Sequence, residues 1–214
     1  MSSPAEPTGD LPLTATAPVS SPTPAMDLPL TATSPAWLPV ALADLDAVHQ
    51  DHLHCERKAA QSALSLVRSY PERTELVIAV ARLAHEETAH VVQVGQLLAR
   101  RGLGGSLDHG DDYAAGLREL IRKSEPARLL DRLLVFALIE ARSAERLGLL
   151  AAALTDPASA DLYRGLATAE VRHRDTFLDL AADVDPTGWR ARLTTLAVAE
   201  SALIARLPVR ARIH

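Results

Sequence analysis

Leu83-Ala-His-Glu-Glu87-Thr-Ala-His90 and Leu166-Ala-Thr-Ala-Glu170-Val-Arg-His173 are two versions of one pattern, set 83 residues apart. Each contains Glu-x-x-His. On a helix, residues three apart share a face, so each copy offers a carboxylate and an imidazole to a single point. One such tetrapeptide arises by chance in many helices. Here each has a further glutamate upstream: Glu56 lies 31 residues before Glu87, and Glu140 lies 30 before Glu170. At 1.5 Å rise per residue, a helix of about 14 residues, a short turn and a return helix consume that span and bring the chain back to its starting level. Glu56, Glu87, His90, Glu140, Glu170 and His173 then meet at one level of a four-helix bundle. Such a set of four carboxylates and two imidazoles holds two metal ions.

The surroundings of these residues argue against ordinary surface acids. Leu45, His49, Leu53, Glu56, Ala60, Leu64 and Val67 follow spacings of three and four, as do Val80, Leu83, Ala84, Glu87, His90, Val91, Val94 and Leu98. In the second half the stripes are Leu133, Phe136, Ala137, Glu140, Ala144, Leu147 and Tyr163, Leu166, Ala167, Glu170, His173, Phe177. All six groups thus fall inside apolar stripes, where a charge is costly unless paired or bound to a cation. Carboxylate with imidazole suits iron or manganese, whereas softer metals want thiolate. Glu86 stands beside Glu87 and is read either as an acceptor for a ligand histidine or as a solvated acid. Glu145 falls about 140° round the helix from Glu140 and points elsewhere. His52, His54 and His85 are read as surface or packing residues, and Cys55 as a packing residue.

Helices are expected over 34–70, 71–101, 113–123, 124–154, 156–186 and 187–205. Ser34-Pro35 opens the first, and Gly102-Leu-Gly-Gly105 ends the second. The connection 102–125 is the long crossover that joins two antiparallel helix pairs. The fold class is all-α: a ferritin-like four-helix bundle with a crossover helix and an extra C-terminal helix, over residues 34–214. Composition agrees, with 48% apolar but only 3% aromatic residues among 214, an alanine- and leucine-rich balance that favours helix. Residues 1–33 read as a disordered Pro/Ser/Thr/Ala-rich tail, since eight of the 14 prolines fall within 1–35. The tail repeats itself: Asp10-Leu-Pro-Leu-Thr-Ala-Thr16 recurs as Asp27-Leu-Pro-Leu-Thr-Ala-Thr33. That is either a recent duplication with Met26 as the true start, or a motif for a docking partner.

A single cysteine excludes an internal disulfide and fits a reducing compartment. No apolar run spans a membrane and no secretory leader is read, so a cytoplasmic protein is expected. Net charge is −5, of which residues 36–214 carry −2, which is not an overall basic footprint. Basic residues do gather locally, as Arg118, Arg122, Lys123, Arg128 and Arg132, and as Arg206, Arg210 and Arg212.

Several stretches beyond the metal pattern carry a family resemblance. They are Ser34-Pro-Ala-Trp-Leu-Pro-Val-Ala-Leu-Ala43, Asp51-His-Leu-His-Cys-Glu-Arg-Lys-Ala-Ala60, Arg82-Leu-Ala-His-Glu-Glu-Thr-Ala-His90, Tyr113-Ala-Ala-Gly-Leu117, Glu125-Pro-Ala-Arg-Leu129, Ile139-Glu-Ala-Arg-Ser-Ala-Glu-Arg146 and Ala169-Glu-Val-Arg-His173. From about residue 34 onward the chain resembles the tRNA 2-methylthio-N6-isopentenyladenosine hydroxylase (MiaE) family. The resemblance implies a nonheme di-iron monooxygenase that uses O2 and external electrons to hydroxylate the isopentenyl group of an adenosine beside the anticodon. It implies two iron ions on Glu56, Glu87, His90, Glu140, Glu170 and His173, manganese being compatible with the same donors. It implies a tRNA partner carrying isopentenylated adenosine and an external reductase or ferredoxin-type donor. The basic stretch 118–132, with Arg210 and Arg212, is the candidate RNA-contacting surface. Two other readings share the bundle: a ferritin-like oxidase or peroxidase acting on iron, peroxide or a small molecule, and a cargo or interaction protein with a structural metal site.

Overall fold

The computed structural model of the chain describes residue 28 and residues 30–214. Among them seven helices and no strand occur: α1 (Trp37–Ala43), α2 (Leu45–Ser69), α3 (Thr74–Arg100), α4 (Asp112–Glu119), α5 (Ala127–Ala153), α6 (Pro157–Val184) and α7 (Trp189–Ile204). Two long hairpins, α2/α3 and α5/α6, form the bundle, and α3 meets α6 across it. α4 is the crossover between them, and α7 packs on α5 and α4.

Local chemistry sets the ends. Pro157 opens α6 behind Asp156, whose carboxylate accepts the Ser159 N–H at 2.9 Å. Asp111 caps α4 through Ala114 N at 2.9 Å. The single helix expected over 34–70 is corrected to two. Asp44 leaves helical geometry at φ −141° and accepts the Ala47 N–H at 3.1 Å, so it ends α1 and caps α2. The bend lets Trp37, 1% exposed, turn inward against Val48, Leu147 and Ile213. The helices expected over 113–123 and from 124 are also shorter. The Asp131 carboxylate accepts both the backbone N–H and the side chain of Arg122, holding the segment between α4 and α5 off a helical path.

The apolar interior is in two parts. One gathers Leu66, Val80, Ala84, Leu133, Leu134, Leu138, Phe177 and Leu196; the other gathers Trp37, Val48, Val94, Leu147, Tyr163 and Leu166. On every bundle helix the metal-pattern residues fall between them, as Glu87 and His90 do between Ala84 and Val94. The predicted α2 stripe needs correction. The buried line is Val48, His49, His52, Glu56, Ala60, Ala63 and Leu66, while Leu64 is 52% exposed. Glu56 belongs to both lines, so its placement survived the error.

The expected disordered tail also ends too late. Leu28 and Leu30 pack against the first apolar cluster. Thr31 donates to Ser201 Oγ at 2.8 Å, and Thr33 bonds Glu145 through its N–H at 2.8 Å and its hydroxyl at 2.6 Å. These residues belong to the second copy of the repeated heptapeptide, which is therefore docked on the bundle at Leu28 and Leu30–Thr33. The first copy, Asp10–Thr16, and Met26 lie outside the described residues.

Candidate metal centre

Four helices each deliver part of one buried cluster. Glu56 comes from α2, Glu87 and His90 from α3, Glu140 from α5, and Glu170 and His173 from α6. None of the six is more than 6% exposed. Their donor atoms fall into two sets of four: Glu56, Glu87, His90 and Glu170, then Glu87, Glu140, Glu170 and His173. Glu87 and Glu170 belong to both sets, so the two sets share two carboxylates.

The separations within it are informative. His90 Nδ1 lies 3.4 Å from Glu56 Oε2 and 3.5 Å from Glu87 Oε2. His173 Nδ1 lies 3.6 Å from Glu170 Oε2 and 2.7 Å from Glu87 Oε1. Both Glu87 oxygens and both Nδ1 atoms are buried without an aligned hydrogen-bond partner among the described residues. Buried polar atoms are normally paired, and leaving one unpaired costs about 1–3 kcal/mol. Lone pairs converging on common points, rather than on one another, are what a bound cation requires. The donor chemistry fits as well, since hard carboxylates with imidazole suit iron or manganese.

Electrostatics say the same. Burial and the neighbouring Glu170 carboxylate push the Glu140 carboxyl well up, and burial pushes Glu87 up. Burial and Glu170 also act against charge on Glu56, but His52 and His90 hold it down at about 2. Burial works against charge on His90 and His173, yet the adjoining carboxylates raise both to about 10. Without a cation the cluster must keep protons to balance its acids, a compensation that two dications would replace.

Outside the cluster, Glu86 Oε2 lies 3.2 Å from His173 Nε2 and 3.0 Å from Arg172. A carboxylate at Nε2 keeps the proton there and turns the Nδ1 lone pair toward Glu87 and Glu170. His52 is not a surface residue: it is 1% exposed, with Nε2 2.5 Å from Glu56 Oε1. Beside it, His49 Nδ1 bonds the Tyr163 hydroxyl at 2.6 Å, and the Tyr163 ring stacks on both histidines. The spacing of His49, His52 and Glu56 on one helical face was a legible sign of this chain of polar groups. His54 and His85 are not buried, as expected.

A pocket of about 70 Å³ opens onto the cluster. Phe136, Ile139 and Phe177 line it beside Glu56, Glu140 and Glu170, with exposed Arg118 among its outer residues. A second pocket of about 310 Å³ lies next to it, and His214 lines both.

The predicted RNA-contacting residues differ in burial and in pairing. Arg118, Lys123 and Arg128 stand at the surface with no ion pair among the described residues. Arg122 is ion-paired with Asp131 at 2.8 Å, and Arg210 lies 3.6 Å from Asp112. Arg212 donates to Gly110 O at 3.0 Å. Arg132 is corrected: it is 9% exposed, bonds Ser65 Oγ at 2.7 Å and sits over the Tyr70 ring, so it is not free for a phosphate. No helix among the described residues is long and apolar enough to cross a membrane.

Fold and cluster together define a ferritin-like bundle with a buried carboxylate–imidazole cluster compatible with a metal site. Residues 23–214 match the family described as tRNA-(MS[2]IO[6]A)-hydroxylase (MiaE). A tRNA 2-(methylsulfanyl)-N(6)-isopentenyladenosine(37) hydroxylase of Pseudomonas putida is 41% identical over 175 residues, covering 81% of this chain and 85% of that one. The Salmonella typhimurium enzyme of the same name is 28% identical, over 72% and 74% of the two chains. Among solved structures, "Protein 43 with aldehyde deformylating oxygenase activity from Synechococcus" superposes with a TM-score of 0.83 at 36% identity, covering 88% of this chain and 96% of that one. The chain belongs to the MiaE tRNA hydroxylase family.

Proposed function

We propose that this protein is a nonheme di-iron monooxygenase that hydroxylates the isopentenyl group of a hypermodified adenosine next to the tRNA anticodon. The observation that carries the reading is the pair of buried four-residue sets sharing Glu87 and Glu170, in a chain of this family. Glu56 and His90 would hold one iron, Glu140 and His173 the other, and Glu87 and Glu170 both. The two irons, manganese being compatible with the same donors, supply O2 activation with electrons from an external reductase or ferredoxin-type donor.

The remaining work falls to the chain. Phe136, Ile139 and Phe177 offer an apolar wall to the alkyl branch and keep water from it. The branch would enter this pocket of about 70 Å³, with the base toward its mouth. An anticodon-loop base can be splayed toward such a pocket with few phosphate contacts, which suits a chain without a strong basic face. Arg118, with Lys123 and Arg128, would meet the backbone of that loop, all three being exposed. Glu86 orients His173 and His52 steadies Glu56. The reaction would take place in the cytoplasm, where tRNA is.

The aldehyde deformylating oxygenase activity ascribed to the Synechococcus protein favours a second substrate class, an aldehyde, which the same apolar wall would accept. One experiment separates the two. The protein is loaded with iron, reduced, and given O2 with tRNA carrying the isopentenyl group or, in parallel, with a fatty aldehyde. Mass spectrometry showing one added oxygen on the nucleoside supports the proposal. Aldehyde turnover with unmodified nucleoside transfers the reading to the second class, and iron-free protein after loading overturns the centre itself.

A further inference from the structure

A second group of metal-ligating side chains lies outside the Glu/His cluster. Cys55 Sγ, Asp111 Oδ2 and His214 Nδ1 converge from α2, the α4 cap and the C-terminal residue. Sγ is 3.7 Å from Nδ1, and Nδ1 is 3.5 Å from the Asp111 oxygen. Donors on a tetrahedral zinc-type ion, at about 2.3 Å for sulfur and about 2.0 Å for nitrogen or oxygen, stand roughly 3.3–3.6 Å apart. The observed gaps are close to that spacing.

The imidazole is also set up as a ligand. Its Nε2 lies 2.9 Å from Ser143 Oγ, which can accept the Nε2–H and leave the Nδ1 lone pair facing the thiol and the carboxylate. The Tyr113 ring stacks on it at 5.2 Å. The His214 and Asp111 side chains are 4% and 8% exposed. An Asp51 oxygen lies 3.7 Å from Sγ and also accepts the Ile213 N–H at 2.8 Å. Three different donor types from distant parts of the chain are thus held together by neighbours that orient them.

We propose that Cys55, Asp111 and His214 form a binding site for a divalent cation of the zinc or cobalt type, which pins the C-terminal residue between the two pockets. Binding exchanges the Cys55 thiol proton, released to solvent, for a sulfur–metal bond, and no electron moves. A thiolate selects a softer ion than the carboxylate-rich cluster does. Cys55, Asp111 and His214 also line the pocket that opens onto the cluster, but the site stands on their own geometry and does not rest on the proposed reaction.

The test is a Co²⁺ titration of the full chain, followed by the near-ultraviolet thiolate-to-cobalt charge-transfer band. The Glu/His cluster contains no sulfur, so cobalt bound there adds nothing to that band. The expected result is a band that saturates, is absent in Cys55→Ser, and needs at least about tenfold more cobalt in His214→Ala and in Asp111→Asn. Circular dichroism of each variant confirms that it is folded. No band at millimolar cobalt, or a band of unchanged affinity in folded His214→Ala, overturns the proposal.

Discussion

Replacing Arg142 with methionine tests the strongest polar tie that sequence patterns do not reveal. Arg142 and Glu200 are both fully buried, where α5 meets α7. The guanidinium donates to Glu200 Oε1 through Nε at 3.0 Å and Nη2 at 2.7 Å. Its Nη1 reaches Glu145 at 2.5 Å and Thr33 Oγ1 at 3.1 Å. Tyr113 donates to the same Glu200 oxygen at 3.0 Å, and Glu200 Oε2 has no partner among the described residues. Methionine keeps the apolar stem but leaves the Glu200 carboxylate with one neutral donor. Two unit charges about 4 Å apart attract by about 4 kcal/mol at an effective dielectric near 20. Breaking such a pair by removing one partner costs about 3–5 kcal/mol, because the other charge stays buried. Urea denaturation of Arg142→Met is expected to show a loss of about 3–4 kcal/mol. The double variant Arg142→Met with Glu200→Leu removes both charges and should lose less than the sum of the single variants by about 2 kcal/mol or more. A single-variant loss below about 1 kcal/mol, or strict additivity, would refute this account of the α5–α7 contact.

The shared carboxylates make a prediction about metal count. Glu56→Ala removes a donor from one set only and should retain about one iron per chain, whereas Glu87→Ala removes a donor from both and should retain almost none; equal losses in the two, measured by iron analysis, would contradict the shared arrangement. Asp131 gives a pH prediction. Burial opposes its charge, but Arg122 and Arg192 hold its pKa down from 3.8 to about 2. A depressed folded pKa means stability that is full above the unfolded value near 4 and lost as pH falls through about 2, amounting to about 2 kcal/mol. Asp131→Asn should therefore be less stable at neutral pH and should lose less between about pH 4 and about pH 2, and parallel acid denaturation curves would count against this role. On the proposed function, Arg118→Glu should weaken tRNA binding and flatten its salt dependence by about one phosphate contact, with iron content unchanged. Unaltered binding would remove Arg118 from the interface.

The bundle was legible because its signals are local and redundant. Two Glu-x-x-His copies, two upstream glutamates and matched spacing each constrain the others, so a misplaced stripe on α2 did not move Glu56. What escaped depends on partners far apart in sequence. Nothing near Asp44 shows that the chain must bend there, because the reason is Trp37 reaching Leu147 and Ile213. Arg132 read as a surface cation because its partners, Ser65 and Tyr70, come from α2 and its C-cap. The docked half of the tail was missed for the same reason. A proline-rich segment without helical period has no core of its own, but Thr31 and Thr33 find hydrogen bonds on α7 and α5. His52 is different. Its spacing to Glu56 was visible and only its weight was misjudged.

The repeat explains why there is a centre, and departures from it explain where the pocket to it lies. The α2/α3 and α5/α6 hairpins contribute equivalent ligands, yet what surrounds those ligands differs. α5 is buried on almost every side because α4 and α7 cover it, which is why it carries the buried charges Asp131, Arg142 and Arg146 where α2 carries none beyond the cluster. The pocket to the cluster is lined from α2, α4, α5, α6 and His214, and by no residue of α3. So Glu87 and His90 approach from the side away from this pocket, and a group that reaches the centre through it passes the crossover helix and His214. An internally repeated bundle without that crossover would present two equivalent approaches. The connection between the halves therefore does more than join them: it places Arg118 beside this pocket and, with His214, makes the surroundings of a nearly symmetric site unequal.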